Sequence, residues 1–183
     1  MNKKNVYELV QERLDLIFKE FDNIYISFSG GKDSVVYSMD GVNLSLVHEK
    51  KYSSSSFTSI CYKYMGSINR RYIATKASGE IAYSDDIHNW ITVNVVNTQL
   101  NSICYGNEKC VAVGENGVIA YSTDGENWFT KNVGNTNWKS VCYGDGGFVA
   151  VGNSGAVAYS TDGEDWTTTK VENYDLNGIC PAQ

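Results

Sequence analysis

The sequence predicts an all-β fold built from repeated four-stranded units, and three observations carry that prediction. A block of about 38 residues recurs along the chain. Each copy holds four short β-rich runs separated by turn signals. The composition agrees: thirteen tyrosines and seventeen glycines against one proline in 183 residues suit strands joined by tight turns.

The repeat is plainest in two copies. Leu100–Gly106 (LNSICYG) leads into Val111–Trp128 (VAVGENGVIAYSTDGENW), and Trp138–Gly144 (WKSVCYG) leads into Val149–Trp166 (VAVGNSGAVAYSTDGEDW). A looser copy runs from Phe57–Tyr62 (FTSICY) to Ile81–Trp90 (IAYSDDIHNW), with a hairpin insertion expected around Met65 to Arg70. Turns are expected at 144–147, 153–155 and 162–163. Four strands in about 40 residues is the blade period of a β-propeller. Such a blade cannot bury both faces alone and must stack on its neighbours.

The outer segments fit the same scheme. Ile26–Gly41 aligns without a gap on Phe148–Gly163, with Gly30 on Gly152, Tyr37 on Tyr159 and Asp40 on Asp162. It therefore carries strands two to four of a blade without strand one, and 176–180 (LNGIC) reads as an isolated strand one. Pairing the two would close the ring and remove both exposed edges. The expectation is a propeller of about four blades: 24–56 together with 176–182, 57–99, 100–137 and 138–175. An open unit that dimerises into a larger ring is the alternative. Residues 1–23 are expected to form an amphipathic helix, because Val6, Leu9, Val10, Leu14, Ile17 and Phe21 share one stripe. That face must dock on the propeller or on a second copy, which makes the helix a candidate dimer contact.

Two family resemblances follow from particular motifs. Ser122, Asp124, Gly125 and Trp128 recur as Ser160, Asp162, Gly163 and Trp166, and in degenerate form as Ser84, Asp86 and Trp90. This unit resembles the Asp-box of sialidase-like and of bacterial and phage propeller repeats, one residue shorter before the tryptophan. The resemblance implies a structural hairpin in which the aspartate accepts turn N–H groups and the tryptophan packs between blades. Sialidase chemistry does not follow. It uses three arginines from separate blades, and this chain has only Arg13, Arg70 and Arg71.

The second resemblance covers Val6 to Ser34. Its helix, short strand and Ser29-Gly30-Gly31-Lys32-Asp33-Ser34 order resembles the opening of phosphoadenosine phosphosulfate reductase-like proteins of the PP-loop family. That implies ATP or phosphoadenosine phosphosulfate as cofactor or substrate, with glycine N–H groups, serine hydroxyls and Lys32 around a pyrophosphate. The resemblance stops near residue 36. Val35 to Gly41 matches a propeller strand and its turn, and in that reading Gly30 to Asp33 is a hairpin turn. The favoured expectation is a PP-loop-like N-terminus recruited as a blade, with no cofactor and no catalytic residues.

Cys61, Cys104, Cys142 and Cys180 occupy one position in four successive first strands. Four thiols near a common axis could hold zinc. Without a Cys-x-x-Cys or an interleaved histidine, they read instead as small buried hydrophobes repeated by duplication, and no metal is expected. His48 and His88 share no motif with a nucleophile and are expected at the surface. The net charge of −6 argues against a nucleic-acid partner. No apolar run approaches 18 residues, and no signal segment is evident, so the expectation is a cytoplasmic binding or assembly module. Its partner would be a protein or small ligand at a propeller face.

Overall fold

A computed structural model describes residues 25–29, 33–38, 44–47, 57–65, 70–86, 89–171 and 173–180, with 25–47 and residue 64 as backbone. The expected N-terminal helix, Gly30, Gly31 and Lys32, residues 66–69 of the expected insertion, His48 and His88 lie outside the described residues. The chain divides into two compact units, Met1–Tyr52 and Ser53–Gln183.

In the first unit β1 (Tyr25–Ser29), β2 (Asp33–Ser38) and β3 (Leu44–Val47) form an antiparallel sheet in that order. Ser29 pairs with Asp33 and Tyr25 with Tyr37. The chain after the Ser29–Ser34 loop is therefore strand, as the β-branched pair Val35-Val36 favours.

The second unit holds three four-stranded meanders. The first is β4 (Phe57–Tyr64), β5 (Arg70–Lys76), β6 (Glu80–Ser84) and β7 (Ile91–Asn94). The next is β8 (Leu100–Gly106), β9 (Lys109–Gly114), β10 (Val118–Ser122) and β11 (Phe129–Asn132). The last is β12 (Trp138–Gly144), β13 (Gly147–Gly152), β14 (Ala156–Ser160) and β15 (Thr167–Lys170). Each sheet is ordered as its sequence runs, and β8 lies next to both β4 and β12. The three sheets fall within 57–99, 100–137 and 138–175.

Burial follows strand position. Second strands are apolar on both faces because a sheet packs on either side: Ile73, Ala74, Val111, Ala112 and Val113 are fully buried. Fourth strands are exposed along most of their length, and their sequences, such as TTTK and FTKN, are accordingly polar. Two apolar clusters fill the gaps between sheets. One centres on Ile73, Ile81, Leu100 and Ile103, the other on Val111, Ile119, Trp138 and Phe148. Trp138 is buried at the place that Phe57 and Leu100 hold in the other copies, and its Nε1–H donates to Val133 O at 3.1 Å.

The register shifts at the same point in every first strand, between Phe57 and Ser59, Leu100 and Ser102, and Trp138 and Ser140. Such a bulge re-aims a side chain. Here the residue just past it is a serine that bonds the next repeat. Ser59 Oγ accepts from Ile103 N–H and Ser102 Oγ from Val141 N–H, both at 3.3 Å. Ser140 Oγ accepts from Ile179 N–H, again at 3.3 Å. Asn116 N–H donates to Asn137 Oδ1 at 2.9 Å, and one repeat later Ser154 N–H donates to Asp175 Oδ1 at 2.8 Å. Residues 176–180 thus lie on the third sheet where each first strand lies on the sheet before it. The expected pairing of 176–180 with 24–56 would join the two units.

Turns are tight enough to demand glycine at particular points. Gly117 has φ +77°, and a Cβ there would sit 1.9 Å from Gly134 O. Among the described residues no helix is long and apolar enough to cross a membrane.

Candidate functional site

The Ser-x-Asp turns join the third and fourth strands, and their geometry repeats closely. Asp124 Oδ1 accepts the N–H groups of Glu126 and Asn127, each at 2.8 Å, and Oδ2 accepts Asn127 Nδ2 at 2.8 Å. Ser122 Oγ donates to the same carboxylate at 2.9 Å and accepts from Gly125 N–H at 2.8 Å. Asp162 and Ser160 repeat this with Glu164, Asp165 and Gly163. In the degenerate copy Ser84 donates to Asp86, whose carboxylate accepts Asn89 N–H and Nδ2.

Trp128 Nε1–H closes its turn on Gly125 O at 3.3 Å, and Trp166 Nε1–H does so on Gly163 O at 3.2 Å. Trp90 lies 5.9 Å from the Phe57 ring. Gly125 and Gly163 have φ of +80° and +76°. A Cβ on Gly125 would meet Ile73 at 2.6 Å, so the turn rests against the sheet before it.

These donors hold the carboxylates ionised. Backbone N–H groups of Asp165 and Glu164 bring the Asp162 carboxyl down to about 2. At Asp124 burial opposes ionisation, yet the bonds from Asn127, Glu126 and Ser122 win and hold it well below the usual carboxylate range. A carboxylate occupied in this way is poorly placed as a general acid or base.

The sheet-to-sheet seams contain a second repeated device. Arg71, at the start of β5, donates from Nε and Nη2 to Asp85 at 2.6 and 2.8 Å, and from Nη1 to Asp124 O at 3.0 Å and to Glu126. Its guanidinium lies 4.9 Å from the Tyr83 ring centroid. One repeat later Lys109 donates to Asp162 O at 2.8 Å and to Glu164, over the Tyr121 ring at 5.8 Å. A cation on each of the first two sheets therefore clasps the Asp turn of the next sheet. The third copy has Gly147 at this place, where a Cβ would meet the Tyr159 ring at 2.4 Å. The sequence signal for this device is the pairing of Arg71 and Lys109 at one repeat position with Glu126 and Glu164 at another. Arg70 lies over the Tyr62 ring at 5.4 Å.

The repeated cysteines are free thiols. Cys61 is pushed well above its ordinary value by its hydrogen bond to Cys110 and by burial. Cys104 is pushed up mainly by burial, as is Cys142. High thiol pKa values make poor nucleophiles and poor metal ligands. Among the described residues no group of three or more His, Cys, Asp or Glu side chains is arranged to hold a metal ion. Of the loop singled out in the sequence, Ser29 ends β1 while Asp33 and Ser34 open β2.

A cleft of about 650 Å³ opens on the third sheet, bounded by the connection 134–137, the β13–β14 turn and the end of β15. Among the described residues its lining is rich in carboxamides and hydroxyls and holds one charged group, Lys170.

With this geometry in view, the chain is a β-propeller protein. No family model matches the sequence, and no curated protein matches it. Solved structures do. A chain of the mitotic checkpoint complex superposes with a TM-score of 0.68 at 13% identity, covering 85% of this chain and 48% of that one. The computationally designed Ika8 protein gives 0.65 at 9% identity over 86% and 49%. YCF48 bound to D1 peptide gives 0.55 at 15% identity over 79% and 49%. At these identities the likeness shows the fold, and this chain spans about half the length of those it matches.

Proposed function

We propose that the chain is a non-catalytic β-propeller module that binds a protein or peptide partner at a propeller face. The observation that carries this reading is the use of its charged groups. Asp124 and Asp162 are occupied by turns, and Arg71 and Lys109 by seams, so these charged groups serve the fold. The propeller relatives support a macromolecular partner, since one is solved with a peptide and another within a multi-protein complex.

The Ser29–Ser34 motif favours a second reading, a PP-loop nucleotide-binding protein. Against it stands the strand β2 where a phosphate-binding loop would feed a helix. Calorimetric titration of the full chain with ATP and with phosphoadenosine phosphosulfate, on wild type and Lys32→Ala, separates the two. Micromolar binding lost in the variant overturns the first reading. Absence of nucleotide binding, with enrichment of peptides from a displayed library, supports it.

A further inference from the structure

The repeat supplies its own control for the cleft on the third sheet. After the first sheet, the connection passes through Val96, which packs against the apolar cluster there. In the second sheet Asn132 Nδ2 spans to Asn116 O at 2.7 Å across the turn. At the cleft both positions differ. Gly134 stands where Val96 would be, with nothing within 4 Å of the place for a Cβ. Lys170 stands where Asn132 would be. The cleft thus differs at two positions from the equivalent place between the first two sheets.

Lys170 is exposed and is the one charged group among the described residues that line the cleft, Ser154 and Thr168 add hydroxyls, and the nearby Asp175 carboxylate is taken up by Ser154 N–H at 2.8 Å. In a chain of net charge −6 this is a local site for anionic oxygen. Asn153 Oδ1 is buried beside the cleft with no hydrogen-bond partner among the described residues. That carboxamide gains by turning toward any N–H donor that enters. Along one wall runs β15, the outermost strand of its sheet and exposed at every residue. An outer strand offers backbone groups that an extended chain can pair with.

We infer that this cleft binds an extended peptide segment bearing a carboxylate, which pairs along β15 and places its acid on Lys170. The inference rests on the peptide-binding reading above and names the segment's chemistry. Two phage-displayed seven-residue libraries, one with a fixed central Glu and one with a fixed central Lys, are panned on the full chain. Enrichment from the Glu library is expected. Selected peptides should bind Lys170→Glu at least about tenfold more weakly, from loss of a charge-assisted bond and gain of repulsion. A charge change on the first sheet, Lys63→Glu, should alter affinity less than about twofold. Equal enrichment from both libraries, or unchanged affinity for Lys170→Glu, overturns the inference and leaves the peptide-binding reading standing. Enrichment from neither library overturns both.

Discussion

Replacing Arg71 with methionine should be among the more damaging single changes in the blade unit, and more damaging than the same change at Lys109. Methionine keeps most of the buried stem and removes the charge. The Arg71 side chain is 9% exposed, while its partners Asp85 and Glu126 are 61% and 42% exposed. Both carboxylates can therefore rehydrate, and the cost falls below the roughly 3–5 kcal/mol of stranding a fully buried charge. What is lost is the charged bond to Asp124 O, about 1.5 kcal/mol, two partly exposed ion pairs, about 0.5 kcal/mol each, and the contact with Tyr83, about 0.5 kcal/mol. The total is about 3 kcal/mol.

Lys109 is more exposed, has one carboxylate partner, and sits farther from its tyrosine ring. Its replacement should cost about 1–2 kcal/mol. For a protein of this size the midpoint falls about 2–4 °C per kcal/mol, so Arg71→Met should melt about 6–12 °C lower and Lys109→Met about 2–8 °C lower. Thermal melts followed by circular dichroism measure both. An Arg71→Met midpoint within 1 °C of wild type, or a larger loss at Lys109, refutes the view that these cations clasp the seams.

Two further outcomes follow from the same geometry. The Asp162 carboxyl titrates near 2 in the fold and near 3.9 when unfolded. A depressed folded value means its contribution is complete above the unfolded value and disappears as pH falls toward 2. Denaturant titrations between pH 5 and 2 should show wild type losing about 1–2 kcal/mol more than Asp162→Asn, after allowance for solvent screening. Parallel losses would remove the turn-capping role. Truncation before Leu176 removes two half-buried apolar side chains, Leu176 and Ile179, and the bond to Ser140. It should cost about 2–3 kcal/mol in chemical denaturation, and an unchanged midpoint would show that the segment adds nothing to the third sheet.

The sequence by itself determined the repeat, the four-strand count and the turn positions. Those properties are local. A glycine at φ above zero, a serine and aspartate feeding turn N–H groups, and alternation between buried and exposed strands are each written within a few residues. The likeness of 176–180 to a first strand was legible for the same reason. Tertiary structure decided how the copies grip one another. The repeated bulge that turns Ser59, Ser102 and Ser140 toward the next repeat leaves no mark within its own strand. The seam cations Arg71 and Lys109 meet partners 53 to 55 residues away, so they look like ordinary surface charges until the sheets are stacked. The cleft beside Lys170 needed stacking too, because an absent side chain at Gly134 becomes a space only when neighbouring residues surround it.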